Sequence, residues 1–497
     1  MTAAFGTSVA DYTGTIPRLL ERAADRDPDG IWLRTDDLTL TFAAAAGRVA
    51  AIAADLADRG IRHGDLVMLT ARTTPEYLLS WLALTSLGAV TVPVNPASAA
   101  AELAGLAGQV RPKAVLTDAG MLFGPGQGDW LGEGDGRVRL VIDVRDLAAG
   151  QPDQPPSALA GGRAEPGDLA VLIPTSGTTG RSKLVMQTHR AYTMAAEGFP
   201  YWMQLTAADR LMTSLPLFHI NAPIYSVLGS LACGAGLVLV PRFSAGGFLD
   251  TARRHGATEF NAIGAMLEIL MRQPERPDDA DNPLRLCYAG PAPERDRHEQ
   301  IERRFGIQIV VGYAMSESPY GLIWRHGTRP YGTLGSVRQH PYLGTINEAK
   351  VIAAPGPDDG PGAAPAPSDG AGLGPGETGE ILLRNPVITP GYWGMPEETA
   401  AAKTGDGWLH TGDLVTVNAD GTYTFVGRRK EVLRRRGENL SPLEVEEVLN
   451  AHPAVLESAV VGVASDLTEE EIKAFVVPVP GAEIDVGELR GYAAERL

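Results

Sequence analysis

Between Thr175 and Lys183 the chain reads TSGTTGRSK: Thr175, Ser176, Gly177, Thr178, Thr179 and Gly180 in one unbroken run, then Arg181, Ser182 and Lys183. Glycines let backbone N–H groups turn onto phosphate oxygens, hydroxyls donate from the sides, and a lysine neutralises charge. The apolar run Leu169–Ile173 just before it predicts a strand, so the loop sits at a strand's carboxyl end, where open α/β sheets bind ligands. It is not a Walker A sequence, because GxxxxGK[ST] counted from Gly177 needs glycine at Ser182 and Ser or Thr at Leu184. A flexible Ser/Gly linker is the plain alternative, but linkers rarely follow a buried strand and end in basic residues. The run predicts polyphosphate binding.

Further segments place reactive side chains at predicted turns. In GYAMSES (Gly312–Ser318), Ser316 and Glu317 follow a strand pattern, although such an acid alone also fits a solvated surface carboxylate. In GWLHTGD (Gly407–Asp413), Asp413 ends a Thr-Gly-Asp run that ordinary turn chemistry also explains. His219 lies in the apolar stretch PLFHINAPIY, where a lone histidine is often a satisfied core residue. The segment Gly427–Glu446 holds Arg428, Arg429, Lys430, Arg434, Arg435 and Arg436, a solvated face or an attractor of phosphates.

Taken in order from Thr175 to Glu446, these segments resemble the motifs of the adenylate-forming superfamily, which holds AMP-forming acyl-CoA synthetases and ligases, luciferases and peptide-synthetase adenylation domains. HINAPIYSVLGSLACGAG and HPAVLESAVVGV look most like the acyl-/aryl-CoA ligase branch, in particular crotonobetaine and short- or medium-acyl CoA ligases. The first 170 residues resemble the family only in layout. The resemblance implies an α/β fold: a large N-terminal domain (1–426) of two layered α/β subdomains plus a small β-barrel, then a small mobile α+β lid domain (427–497).

It also implies roles. Thr175–Gly180, Lys183 and Ser316 hold the leaving pyrophosphate, and Glu317 binds the Mg2+ that bridges the phosphates. Ala289, Gly290 and Pro291, within AGPAPE, form the adenine turn; Tyr313 stacks near the base; Asp413 and Arg428 hold the ribose. His219, within LPLFHI, separates the acyl pocket from the thiol route. Asn221, Tyr225, Ala262, Gly264, Val311 and Gly312 match positions lining the acyl pocket, and their small or modestly polar character leans towards a short or aryl acid. Lys430 matches the hinge of the lid domain, and Gly437, Glu438 and Asn439 the loop that enters for thioester formation.

The chain departs from the family pattern at Ser182 (usually proline), Leu184 and Ala314 (usually glycine) and Glu431 (usually aspartate). Family members also carry a lysine in a PxxxxGK-like segment near the C-terminus; the sequence reaches Leu497 before one, so the lid domain is expected to be incomplete here. The implied reaction is ATP-dependent activation of a carboxylic acid to an acyl-adenylate with release of pyrophosphate, then transfer to a thiol, CoA being the expected co-substrate. Two alternatives stand beside it: a different acid or acceptor (a carrier protein, an amine, nitrite for diazotisation), and a nucleotide-binding protein with impaired catalysis.

Composition narrows the classes. At 497 residues the chain is long enough for several buried cores. A net charge of −17 argues against non-specific binding of nucleic acid or anionic membranes, leaving Arg181, Lys183 and Arg428 as the basic groups that could admit ATP. Cys233 and Cys287 are too few and too distant for a disulfide framework or zinc site. Neither a signal-peptide pattern nor an apolar run of membrane-spanning length is present, so a soluble, cytoplasmic protein is expected. The partner is a small acid; the oligomeric state stays open, a homodimer among the options.

Along the chain, the helical stripe Val49–Leu56, the strand Leu66–Leu69, the helix Pro75–Leu87 and the strand Ala89–Val94 set a βαβα rhythm predicting mainly parallel sheets. It resumes with a helix near His189–Glu197, strand Arg210–Ser214, helix Ile224–Ala232, strand Leu237–Val240 and helix Phe248–His255. Gly120–Gly167 reads as a surface excursion. Pro355–Glu377, with six prolines and seven glycines, reads as mobile.

Overall fold

The computed structural model describes residues 5–118, 140–149, 164–175, 182–354, 372–429, 433–435, 438–440, 442–464, 470–494 and 496. Most of the excursion over 120–167, and residues 355–371, lie outside them. The chain forms two compact units, one of Met1–Glu348 with Arg384–Ala400, the other of Ala349–Leu383 with Ala401–Leu497.

The first unit holds two layered α/β sheets. One has six strands in the order Val141–Asp143, Ala114–Thr117, Leu66–Thr70, Val90–Pro93, Leu169–Thr175, Lys183–Thr188. The first five run parallel and the last returns antiparallel, with Thr175 opposite Lys183. Helices cover both faces of a parallel sheet, so its strands read as continuous apolar runs; Val67, Met68, Leu69 and Val92 are fully buried. The helix Pro75–Ser86 starts on proline and is capped by the Thr74 hydroxyl, which accepts from the Tyr77 N–H.

The other sheet has nine strands, in the order Ser336–Val337, Ser318–Ile323, Gln308–Met315, Leu286–Gly290, Glu259–Ile263, Arg210–Thr213, Gly236–Leu239, Ile31–Arg34, Thr39–Thr41. The six from Gln308–Met315 to Ile31–Arg34 are parallel, so their carboxyl ends share one edge. The helix His189–Met203, capped by Thr188, runs six residues beyond the predicted span. The helix predicted at Ile224–Ala232 divides into wide π-type turns over Ala222–Leu228 and an α-helix Gly229–Cys233. The widened turn carries Tyr225, whose hydroxyl donates to the Pro319 carbonyl at 2.8 Å.

The second unit contains a four-stranded sheet, Glu348–Ile352, Thr378–Arg384, Leu409–Val417, Tyr423–Arg428, in that spatial order and antiparallel across its last three strands. Beyond it the antiparallel pair Val455–Ala464 and Glu470–Pro478 and the helices Pro442–Asn450 and Val486–Ala494 share a core of Val445, Leu449, Val455, Val460 and Leu489. Among the described residues no helix is long and apolar enough to cross a membrane.

Candidate active site

The hairpin predicted to bind phosphate is closed at its base, where the Thr175 hydroxyl donates to the Lys183 carbonyl at 3.4 Å and Gln109 Nε2 to the Ser182 carbonyl at 3.2 Å. Ser176, Gly177, Thr178, Thr179 and Gly180 lie outside the described residues. The returning strand is extended on its far side by Thr389–Trp393: Met186 N–H donates to the Gly391 carbonyl and Trp393 N–H to the Leu184 carbonyl. That edge brings Tyr392 into the site. Lys183 Nζ stands 4.5 Å from the Tyr392 ring centre, and the Tyr392 hydroxyl donates to Glu317 Oε1 at 2.9 Å. Burial and the Glu317 charge both push the Tyr392 pKa up, so the phenol keeps its proton and remains a donor.

Glu317 and Ser316 form the turn between the antiparallel strands Gln308–Met315 and Ser318–Ile323. The turn is held from two sides: Gln187 Nε2 donates to the Ser316 carbonyl at 2.6 Å and Thr389 N–H to the Glu317 carbonyl at 2.7 Å. Three segments distant in sequence thus converge on one lysine and one carboxylate.

Next to this turn, three neighbouring parallel strands bring small residues to their carboxyl edge. Ile263 pairs with Gly290 and Ala289 pairs with Val311, so Gly290 and Gly312 stand level across the carboxyl edge, with Gly264 one residue further on. Gly264 N–H donates to the Gly290 carbonyl at 3.2 Å, and a Cβ on Gly290 would come 3.1 Å from the Gly312 carbonyl. Such an edge lets a ligand lie against the backbone. Pro291 follows through a cis peptide bond. Asn221 is half-buried, and its Oδ1 accepts from Asn261 Nδ2 at 2.6 Å. His219 is exposed, its ring 4.6 Å from that of Phe218. Tyr313 is half-buried, with its carbonyl accepting from Arg338 Nη2 at 3.2 Å. Tyr225, Ala262, Val311 and Ala289 are shut into the interior, at 1 %, 2 %, 0 % and 1 % exposure.

In the second unit, Asp413 and Arg428 sit opposite each other on adjacent strands, with Arg428 Nε 3.4 Å from Asp413 Oδ1. Gly412 adopts φ +73°, and its N–H donates at 2.9 Å to Glu380 Oε1. Burial works against the Glu380 charge, yet the His410 ring, the Gly412 amide and Arg429 more than offset it and hold the pKa below the usual carboxylate range. Glu438 and Asn439 lie on the short strand Glu438–Leu440; Lys430 and Gly437 fall outside the described residues.

Sequence reasoning missed Tyr392, Gln187, Thr389, Asn261, Glu380 and Arg338. Each acts through a partner far away in the chain, so no local spacing announces it. The GYW triplet Gly391–Trp393, an aromatic pair flanked by glycines after Pro390, was the one local hint of a special turn.

The base of the Lys183 hairpin in one layered α/β sheet meets the Glu317 turn of the other, an arrangement suited to a nucleotide-activating α/β enzyme. The chain belongs to the AMP-binding enzyme family, whose model matches residues 20–393, with that of the family's C-terminal domain matching 444–497. It is 30% identical over 457 residues to the crotonobetaine/carnitine–CoA ligase of Salmonella typhi, covering 88% of this chain and 83% of that one. Among solved structures it is similar to ATP-bound MatB from Rhodopseudomonas palustris, with TM-score 0.80, 26% identity and coverage of 97% and 92%. The o-succinylbenzoate CoA synthetase MenE of Bacillus subtilis, solved with its acyl-adenylate intermediate, gives TM-score 0.79 and 27% identity over 96% of this chain and 91% of that one.

Proposed function

We propose that the protein activates a carboxylic acid with ATP to form an acyl-adenylate and passes the acyl group to CoA. The observation that carries this is the Lys183–Tyr392–Glu317 contact beside the phosphate-type hairpin, in a chain similar to CoA ligases. Both reactants are anions, so the site's task is positioning and charge neutralisation. Lys183 and the donors of 175–180 take the charge that develops on pyrophosphate as the acid's oxygen attacks the α-phosphorus. Asp413, with Arg428 beside it, accepts from the ribose hydroxyls; Gly290 and Pro291 face the adenine; Tyr313 flanks it.

Among the described residues no group of three or more His, Cys, Asp and Glu could hold a metal by itself. A lone carboxylate fits Mg2+ in this setting, because that ion takes most of its ligands from phosphates and water. Glu317 would hold it, one oxygen being bonded to Tyr392. When bound, the ion shields the phosphate charges. The lid domain after residue 427 turns about Lys430 and brings Gly437, Glu438 and Asn439 to the thiol, with His219 separating the two routes.

The test is pyrophosphate release from Mg-ATP with short, branched and aromatic acids and nitrite, each with and without CoA. Release driven by a carboxylic acid with a CoA thioester formed is the expected result. Release with nitrite alone, or with an acid and no thioester, would overturn it in favour of another acid or acceptor.

A further inference from the structure

Arg338 is buried at 0 % exposure, yet among the described residues no carboxylate pairs with it. All five of its N–H groups find neutral acceptors instead. Nε donates to the Leu322 carbonyl at 2.9 Å; Nη1 donates to the Tyr225 hydroxyl at 2.9 Å and the Pro319 carbonyl at 3.3 Å; Nη2 donates to the Tyr288 hydroxyl and the Tyr313 carbonyl. The guanidinium also lies over the rings of Trp202, Tyr225 and Tyr288 at 4.8–5.5 Å. It sits directly behind the glycine edge, since a Cβ on Gly312 would stand 2.7 Å from Arg338 Nη2 and 2.4 Å from the Tyr288 ring.

We infer that Arg338 closes the acyl end of the site and restricts the enzyme to short, compact acids; this rests on the adenylation reading above. On that reading, a long acyl tail extending past Gly312 would run between the strand Gln308–Met315 and the turns Ala222–Leu228, which Arg338 bridges through the Tyr313 carbonyl and the Tyr225 hydroxyl. Arg338, Tyr225 and Tyr288 fill that volume so closely that none exceeds 3 % exposure. A flexible aliphatic side chain could swing aside for a tail. A guanidinium with five satisfied donors cannot swing aside without breaking those five bonds and leaving its charge and N–H groups unpaired in the interior.

The experiment is calorimetric binding of 5′-O-(N-acylsulfamoyl)adenosines carrying acetyl, butanoyl and octanoyl groups to the full chain. Each methylene that can be buried strengthens binding about fourfold, so an open channel favours octanoyl over butanoyl by about 200-fold. The closed site predicts octanoyl binding no tighter than butanoyl. Arg338→Ala should raise the octanoyl-to-butanoyl affinity ratio by about tenfold or more. Arg338→Met, whose flexible side chain can swing aside, should raise the ratio as well, by less than Arg338→Ala. The ratio is read only on variants whose melting curves show a folded protein; if Arg338→Ala does not fold, the wild-type ratio decides. Wild-type preference for octanoyl, or an unchanged ratio in folded Arg338→Ala, overturns the inference while leaving the adenylation reading in place. Failure of every analogue to bind sinks both.

Discussion

Replacing Tyr392 by phenylalanine removes one oxygen from the site and leaves the ring under Lys183 in place. The lost interaction is the 2.9 Å hydrogen bond to Glu317 Oε1. A hydrogen bond to a charged group contributes about 1.5–3 kcal/mol. Glu317 is half-buried, so water can replace part of the bond and the lower end applies. About 1.5 kcal/mol in the transition state is roughly a tenfold fall in kcat/KM for ATP. The assay is acid-dependent ATP–pyrophosphate exchange, with thermal melting alongside. Tyr392→Phe should lose about tenfold in exchange while its melting temperature stays near wild type, and its effect should not add to that of Glu317→Gln, because both act through one carboxylate. Full exchange activity in Tyr392→Phe, or strictly additive effects in the double variant, would refute the positioning role.

Further expectations concern groups outside that contact. His189 is buried, its Nδ1 accepting from the Ile16 N–H at 3.3 Å, and burial pulls its pKa down to about 4 from 6.5. The unfolded chain therefore binds more protons than the folded one between pH 6.5 and 4, and stability falls as pH drops through that window, by about 2 kcal/mol from pH 7 to pH 5. Urea unfolding should show this limb, and His189→Gln should flatten it. Glu259 is fully buried, neither oxygen has a hydrogen-bond partner among the described residues, and burial followed by the nearby Asp209 charge raises its pKa well above the ordinary value. The folded protein keeps a proton that the unfolded chain releases, so this group subtracts stability as pH rises; Glu259→Gln should melt above wild type at pH 8, with the gap narrowing towards pH 5. Removing Glu380 with Glu380→Ala frees the Gly412 N–H beside Asp413. It should raise the KM for ATP more than it lowers kcat if Asp413 holds the ribose, whereas unchanged ATP kinetics would dissociate that turn from nucleotide binding.

Local chemistry in the sequence pointed to polyphosphate binding and to much of the layered fold, and the reaction class followed from the motifs' resemblance to a family. Glycine and hydroxyl density over Thr175–Gly180, the strand before it, proline at the start of Pro75–Ser86 and the apolar runs of the parallel strands are all properties of neighbouring residues. The helix Phe248–His255 was legible to the residue, since an amphipathic stripe there ends at Gly256, whose φ of +62° a glycine adopts without strain.

Only the tertiary structure decided which side chains meet. Tyr392 reaches Glu317 across 75 residues, Gln187 holds the Ser316 carbonyl across 129, and Arg338 bonds Tyr225 across 113. The same holds for the acyl residues: sequence named six candidates, and packing left Asn221, Gly264 and Gly312 open while closing Tyr225, Ala262 and Val311. Exposure at those positions depends on what other segments place against them, and a buried arginine without an anion has no signature in its own neighbourhood. Backbone preference and hydrophobic period act over a few residues; the register that sets Gly290 and Gly312 level, with Gly264 one residue further on, is created when the strands pair.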